Sequence, residues 1–309
     1  MSNQQYIEWT TVQNTWINQY TSCAKEATTG KTQLVMSMAT CRNFQETLSM
    51  MMQRVNPQLS PPEQPIALCS EYIDVQEFQI NSKNAFSRLQ TKVKKANKSA
   101  EKLQRAKDDW QQANQLVQSK QYVFVAIDIE AWEQDHSILL EIGWSLYDSK
   151  TDQYMDQHYL MNTYRHLTNG RYVSDQKLRF AFGTSVWCSL DQALKELRKD
   201  LDWCVQRDGG FVLVGHGLDS DLRYLQKAKF HWPGTNGNGD TLDVNQSALV
   251  TICNTDEMYA ASIGNLHNPP SLGTTLGLFG IDCWNLHNAG NDAHYTMLLF
   301  MELIKKANE

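Results

Sequence analysis

The pattern of apolar residues changes at Lys120, and this change constrains the fold more than any other feature of the chain. Residues 83–120 contain neither Gly nor Pro, and most of their apolar residues recur at intervals of three and four. Such spacing predicts one long helix of about 55 Å. After Lys120, short apolar runs alternate with helical spacings. The chain therefore divides into a helical part and a part of mixed secondary structure.

The mixed part begins with three strand-like runs that are joined by short turns. They are Tyr122–Ile127, Ile138–Tyr147 and a segment from about Tyr154 to Met161. Helices and strands then alternate, with helices predicted at 190–205, 220–229, 271–279 and 289–306 and strands at 210–215 and 241–244. A meander followed by such alternation predicts an α/β fold, in which helices flank a mixed sheet.

The first 120 residues predict an α-helical N-terminal extension. A run of Phe, Leu and Met at helical spacing between residues 44 and 52 indicates a helix that packs on a core or on a partner. Four of the seven prolines then fall close together, which is typical of a linker. The predicted organisation is a helical segment at 1–55, a Pro-rich linker at 56–65, a helical region at 66–120 that contains the long helix, and a domain at 121–309.

Charge alone argues against a nucleic-acid partner, because such binders usually carry a basic surplus. The net charge is −6, from 28 Lys and Arg against 34 Asp and Glu. However, residues 1–120 carry 14 basic and 10 acidic side chains, whereas residues 121–309 carry 14 and 24. The basic charge is concentrated in the long helix, where it is either a solvated face or a set of phosphate contacts. The candidate phosphate contacts are Lys94, Lys95, Lys98 and Lys102.

No part of the sequence indicates a membrane protein or a disulfide scaffold. No window approaches the roughly 18 to 20 apolar residues that a membrane helix needs, and the first residues lack the pattern of a signal peptide. The seven cysteines are widely spread and include no Cys-x-x-Cys pair, which predicts reduced thiols. We therefore expect a soluble protein of the cytoplasm, the nucleus or both.

Acidic residues follow the predicted strands at three places. Asp128 and Glu130 come directly after the first strand, and their i, i+2 spacing places both on one face. Asp221 lies in the first turn of the helix after a Gly-His-Gly turn, and Asp292 lies five residues after His287 in the last helix. Carboxylates that emerge from a buried strand suit a hard divalent cation. Taken singly, an acid in a first helical turn can also simply complement the helix dipole, and a lone His is usually structural.

Together, an Asp-x-Glu pair, two further Asp residues and a His five residues before the last Asp resemble the DEDDh family of 3′–5′ exonucleases. The segments 214–222, 271–276 and 287–293 match motifs of that family. The segments 166–173 and 180–185 resemble a fungal subgroup, the Gfd-type proteins linked with mRNA export and a related exonuclease that removes passenger strands in RNA silencing. The resemblance covers about residues 121–309 and implies an RNase H-like fold.

The resemblance also implies a mechanism and a set of site residues. The ligands of two Mg²⁺ or Mn²⁺ ions would be Asp128, Glu130, Asp221 and Asp292. His287 would accept the proton of the attacking water, and nucleoside 5′-monophosphates would leave from a 3′ end. Where many relatives have Thr or Ser after the first Glu, this chain has Ala131 and Trp132. Trp132 either stacks on the terminal base or is simply buried.

Three functions remain open at this stage. The favoured one is an active metal-dependent 3′–5′ exonuclease that acts on the 3′ ends of single-stranded RNA. The second is a non-catalytic RNA-binding or adaptor protein of mRNA export or RNA silencing, with a protein partner on its N-terminal helices. The third is a 3′–5′ DNA exonuclease, because the contact to the 2′-hydroxyl that distinguishes RNA from DNA is not visible in these motifs.

Overall fold

A computed structural model describes most of the chain, which forms two compact units. The described residues are 6–8, 19–37, 72–80, 83–234, 247–266 and 268–308, with single positions at 39, 42, 43, 46, 49, 50, 53, 58 and 242. The units are Met1–Lys102, here called the N-terminal unit, and Leu103–Glu309, the C-terminal unit.

The N-terminal unit contains a four-stranded antiparallel sheet. Its strands are β1 (Tyr6–Glu8), β2 (Gln19–Glu26), β3 (Thr32–Ser37) and β4 (Tyr72–Ile80), in the order β1-β3-β2-β4. The long helix α1 (Lys83–Ser119) begins in this unit. Phe86 and Leu89 of α1 pack on Cys23 of β2, so one face of the helix covers part of the sheet.

The prediction of a purely helical extension is therefore wrong in part. The long helix is confirmed, and the described positions between 39 and 53 are helical. However, the predicted helical segment 1–55 contributes three strands and the predicted helical region 66–120 contributes β4. Strand β2 pairs with a partner some fifty residues further along the chain, and a local pattern does not show such pairing. The apolar positions of the predicted helix, 44, 48, 51 and 52, lie outside the described residues, as does the predicted linker except for Gln58.

The C-terminal unit has a six-stranded mixed sheet flanked by helices, as predicted. The strands are β5 (Val123–Trp132), β6 (Asp135–Asp148), β7 (Gln153–Met161), β8 (Val186–Cys188), β9 (Phe211–Gly215) and β10 (Leu249–Asn254). The helices are α2 (Leu190–Asp208), α3 (Asp219–Lys227), α4 (Thr255–Ile263), α5 (Leu272–Leu278) and α6 (Ala289–Lys306), with one 3-10 turn at Asn162–Tyr164. Strands β8 and β10 and helix α4 were not predicted. The strand predicted at 241–244 lies outside the described residues except for Leu242.

Strand β5 lies in the middle of this sheet, and its two faces belong to different halves of the core. It pairs in parallel with β9 and antiparallel with β6, within the order β10-β9-β5-β6-β7-β8. Val123, Val125 and Ile127 pack on the side of α2, whereas Phe124 and Ala126 pack on the side of α6. A strand covered on both faces must be apolar throughout, which explains the run that marks it in the sequence.

Two further expectations can be compared with the described part of the chain. No described helix is long and apolar enough to cross a membrane. The five described cysteines are free thiols, four of them buried.

Candidate active site

The first two acids stand where β5 runs past its parallel neighbour. The pairing of β5 with β9 ends at Ala126, and β5 continues for six more residues. Asp128 and Glu130 follow Ala126 at even spacing, so they share its face and point toward α6. In open α/β sheets, ligands bind beyond the carboxyl ends of parallel strands. The fold thus places both carboxylates at such an edge.

Asp221 reaches this edge from the next strand. A Gly-His-Gly turn links β9 to α3, with Gly217 at a φ of +73° and with Gly215 so close to Leu218 that a Cβ atom would lie 2.6 Å from it. The turn lets α3 begin at once, and Asp221 Oδ1 accepts a hydrogen bond of 2.9 Å from the backbone N–H of Ile129. That N–H needs a partner because β9 has already ended. The neighbouring Asp219 is exposed, whereas Asp221 is buried.

Asp292 and His287 come from the start of α6. Asn288 caps the helix, because its side chain accepts a hydrogen bond from the N–H of Asn291. The backbone N–H of His287 donates to Asp292 Oδ2 at 2.8 Å, and His287 has a φ of +68°. The imidazole is 48% exposed, with Nδ1 3.9 Å from Glu130 Oε1. One ligand atom each from Glu130, His287 and Asp292 lies within 4.8 Å of the other two.

The surroundings of the four acids strongly disfavour their ionised forms. Burial raises the pKa of Asp128 and of Asp292 well above the usual range, and the neighbouring carboxylates add to the effect. The pKa of Glu130 is raised to about 8, mainly by burial and further by the charges of Glu141 and Asp221. Burial raises the pKa of Asp221 to about 7.

Within the acidic cluster, two buried carboxylate oxygens have no hydrogen-bond partner, namely Asp128 Oδ2 and Asp292 Oδ1. Buried polar atoms are normally satisfied, so such orphans call for an explanation. Clustered, partly unpartnered carboxylate oxygens are the ligand type that Mg²⁺ and Mn²⁺ prefer. The donor set therefore fits divalent cations.

A fifth carboxylate, Glu141, belongs to the same cluster and was missed in the sequence. It lies directly opposite Glu130 in the β5–β6 ladder and is 2% exposed. Burial raises its pKa to about 8. Its Oε2 accepts a hydrogen bond of 3.2 Å from the N–H of Ala289 and lies 2.9 Å from His158 Nε2. Glu141 thereby fastens the start of α6 to the sheet. The signal in the sequence was an acid in the middle of an apolar strand.

The remaining predicted site residues are Trp132 and four lysines of α1. Trp132 ends β5, is half-buried, and its indole N–H donates to the carbonyl oxygen of Thr168 at 3.3 Å. Its stacking on a base stays a prediction. The four candidate lysines are exposed on α1 within the N-terminal unit. Their contact with nucleic acid also stays a prediction.

Most of the C-terminal unit matches a known protein family. The DEDDh model described as "DNA polymerase III subunit epsilon-like, C-terminal domain" matches residues 123–303, more than half of the chain. The chain belongs to this family. The matched region of this DEDDh protein contains the whole acidic cluster and His287, and the predicted family and RNase H-like fold are confirmed.

Two relatives and one solved structure show how far this DEDDh protein resembles others. It is 29% identical over 206 residues to "Good for full DBP5 activity protein 2" of Saccharomyces cerevisiae, across 60% of this chain and 36% of the relative. It is 30% identical over 212 residues to a Schizosaccharomyces pombe protein named as nucleolar, across 66% of this chain and 78% of the relative. The chain spans 36% to 42% of the length of the S. cerevisiae relatives it matches. The RNase domain of the yeast Pop2 protein gives a TM-score of 0.33 at 16% identity, covering 66% of this chain and 84% of that structure.

Proposed function

We propose that this protein is a divalent-metal-dependent 3′–5′ exonuclease that hydrolyses single-stranded RNA to nucleoside 5′-monophosphates. One observation carries the proposal. Four carboxylates from three separate elements converge at one sheet edge, beside a half-exposed histidine, and leave two buried oxygens without partners. Such an arrangement destabilises the ion-free protein, and perturbed carboxylates of this kind are typical of sites that bind ions or carry out chemistry.

Two Mg²⁺ or Mn²⁺ ions would be held by Asp128, Glu130, Asp221 and Asp292. When bound, such ions neutralise the charge that develops on a phosphodiester and make water a better nucleophile. Because the pKa values of Glu130 and Asp221 lie near neutrality in the ion-free protein, ion binding releases protons. The affinity for these ions should therefore rise with pH.

His287 is the group that we propose to accept the proton from the attacking water. An imidazole exchanges protons near neutral pH, and the half exposure of this ring leaves room for water and substrate. The hydrogen bond from its backbone N–H to Asp292 fixes the residue beside the carboxylates. Water attacks the terminal phosphorus, the bond from phosphorus to the 3′ oxygen breaks, and that oxygen stays on the shortened strand. The released product is a nucleoside 5′-monophosphate.

The substrate, setting and partners belong to the same proposal. We propose RNA as the substrate and a nuclear or cytoplasmic setting, and the relative that is named as nucleolar supports the nuclear setting. The exposed lysines of α1 give a second surface for RNA, and the N-terminal unit is the candidate surface for a protein partner.

The test is degradation of single-stranded RNA that is labelled at its 5′ end, with Mg²⁺ or Mn²⁺ present. Wild type should produce a ladder that shortens from the 3′ end, and EDTA should abolish it. Asp221→Asn should lose activity at least 100-fold, whereas Asp219→Asn, which changes an exposed acid on the same helix, should retain it. Binding of RNA without cleavage under any metal condition would favour the adaptor function. Cleavage of DNA alone would favour the DNA exonuclease.

A further inference from the structure

One loop of the C-terminal unit is hydrogen-bonded both to the turn that follows β5 and to the start of α6. The segment 165–181, here called the arginine loop, lies between β7 and β8 and has no helix or strand. It includes the whole of segment 166–173 and the first two residues of segment 180–185, which resemble the fungal subgroup. The proposed mechanism assigns no role to it. Its position follows from two sets of hydrogen bonds, one at each end.

The first set holds the loop to the end of β5. The carboxylate of Glu133 accepts hydrogen bonds from the backbone N–H groups of Gly170, Arg171 and Tyr172, at 2.8 to 3.3 Å. These bonds lower the pKa of Glu133. Asn169 adds two more bonds, to the N–H of residue 133 and to the carbonyl oxygen of residue 131. Residue 171 is thus hydrogen-bonded to Glu133, which lies three positions after Glu130 in the turn that follows β5.

The second set holds the loop to the start of α6. The side-chain amide of Asn288 donates to the carbonyl oxygens of Gln176 and Lys177, at 3.1 and 3.2 Å. The amide of Asn291 donates to the carbonyl oxygen of Arg179 at 3.0 Å. Asn288 adjoins His287, and Asn291 adjoins Asp292. The backbone of Arg179 is therefore hydrogen-bonded to the first turn of α6, which carries Asp292.

The loop is basic within an acidic unit, and two of its cations are available. It carries four Lys and Arg against one acid, whereas residues 121–309 carry 14 against 24. Lys177 is buried and donates to the carbonyl oxygen of Leu167, and the guanidinium of Arg165 lies over the Trp187 ring. Arg171 and Arg179 are exposed, and neither forms an ion pair within the described part of the chain. The guanidinium of Arg171 lies over the ring of Tyr172, 5.2 Å from its centroid, but both side chains of this pair are exposed and can be reached by a ligand.

We infer that Arg171 and Arg179 bind phosphates of the nucleic-acid strand whose 3′ end enters the acidic cluster. The inference rests on the proposed function. In the ion-free protein, ionised carboxylates of the cluster repel an anionic strand, and cations on the loop offset this repulsion. A guanidinium presents a planar fork that matches phosphate oxygens. The exposed ring of Tyr172, beside Arg171, adds a surface on which a base can stack.

The experiment measures binding without cleavage. A fluorescent single-stranded RNA 12-mer is titrated with the full chain in EDTA, and anisotropy is followed at several salt concentrations. Arg171→Glu with Arg179→Glu should weaken binding at least tenfold and reduce the salt slope by about 1.4, because two phosphate contacts on a single strand contribute about 0.7 each. Lys195→Glu with Lys199→Glu makes the same change of charge on exposed residues of α2 and should change binding less than twofold.

Several results would overturn the inference. Equal losses in both double variants would mean that only overall charge matters. Unchanged RNA binding in the arginine variant, with loss of binding to a polyglutamate peptide, would instead indicate an acidic protein partner. Arg171→Lys with Arg179→Lys controls for folding and should retain at least a third of the affinity. A different result would contradict the nuclease proposal: wild type would bind RNA but would not cleave it when Mg²⁺ is added.

Discussion

Replacing Glu130 by glutamine should stabilise the ion-free protein above neutral pH. Burial and the neighbouring carboxylates raise the pKa of this side chain from 4.5 to about 8. The folded protein therefore binds the proton more tightly than the unfolded chain does. For such a group, stability is greatest below the unfolded pKa, falls as the pH rises toward 8, and is level above it. Glutamine has the same shape and no charge to desolvate.

The size of the effect follows from the same shift. Each tenfold change in proton affinity is worth about 1.4 kcal/mol, so the ionised Glu130 costs the folded, ion-free protein about 5 kcal/mol at pH 8.5. We expect Glu130→Gln to raise the free energy of unfolding by about 2 to 5 kcal/mol in EDTA at pH 8.5, and by less than about 1 kcal/mol at pH 5. With saturating Mg²⁺ the gain should vanish, because wild type then gains the binding energy of the ion.

Urea denaturation followed by tryptophan fluorescence measures these differences, because seven of the nine tryptophans lie in the C-terminal unit. Glu196→Gln, which changes a more exposed acid on α2, is the matched control and should shift stability by less than about 0.5 kcal/mol at either pH. A Glu130→Gln protein that is less stable than wild type in EDTA at pH 8.5 would refute the reasoning. So would a difference that is the same at both pH values.

Three further variants test how the site is built. Gly143→Ala should cost about 3 kcal/mol in urea denaturation, because its Cβ would lie 2.3 Å from the backbone of Ala289; an unchanged midpoint would contradict this packing. Asn288→Ala should cost about 1 to 2 kcal/mol through loss of the helix cap and should lower RNA cleavage, whereas full activity would show that the cap does not position the site. Glu133→Gln should speed amide hydrogen exchange at residues 170–172, and unchanged exchange would show that the carboxylate does not hold them.

The acidic residues of the site were predictable because each stands at the end of a local pattern. Asp128 and Glu130 end an apolar run, Asp221 follows a glycine turn, and Asp292 opens a long amphipathic helix. Glu141 was not predictable in this way. Its position opposite Glu130 depends on the register of β5 with β6, and that register shifts on both sides of Ala131.

The strands of the N-terminal sheet were not predicted, because their pairing joins distant parts of the chain. In the N-terminal sheet, β2 pairs with β4, although the two strands are some fifty residues apart in the sequence. The hairpin of β2 and β3 did leave a signal, a Thr-Thr-Gly turn with Gly30 at a φ of +66°. The arginine loop has no periodic pattern, and hydrogen bonds to the side chains of Glu133, Asn288 and Asn291 fix its position.

Calorimetric titration with Mn²⁺ at pH 7.5 tests the central claim, that the clustered acids form a divalent-cation site. We predict two ions per wild-type chain, with release of protons on binding that is seen as a dependence of the heat on the buffer. Asp128→Asn should lose at least one ion, whereas Asp219→Asn should bind as wild type does. Absence of Mn²⁺ binding to wild type, or equal binding by Asp128→Asn, would contradict the claim.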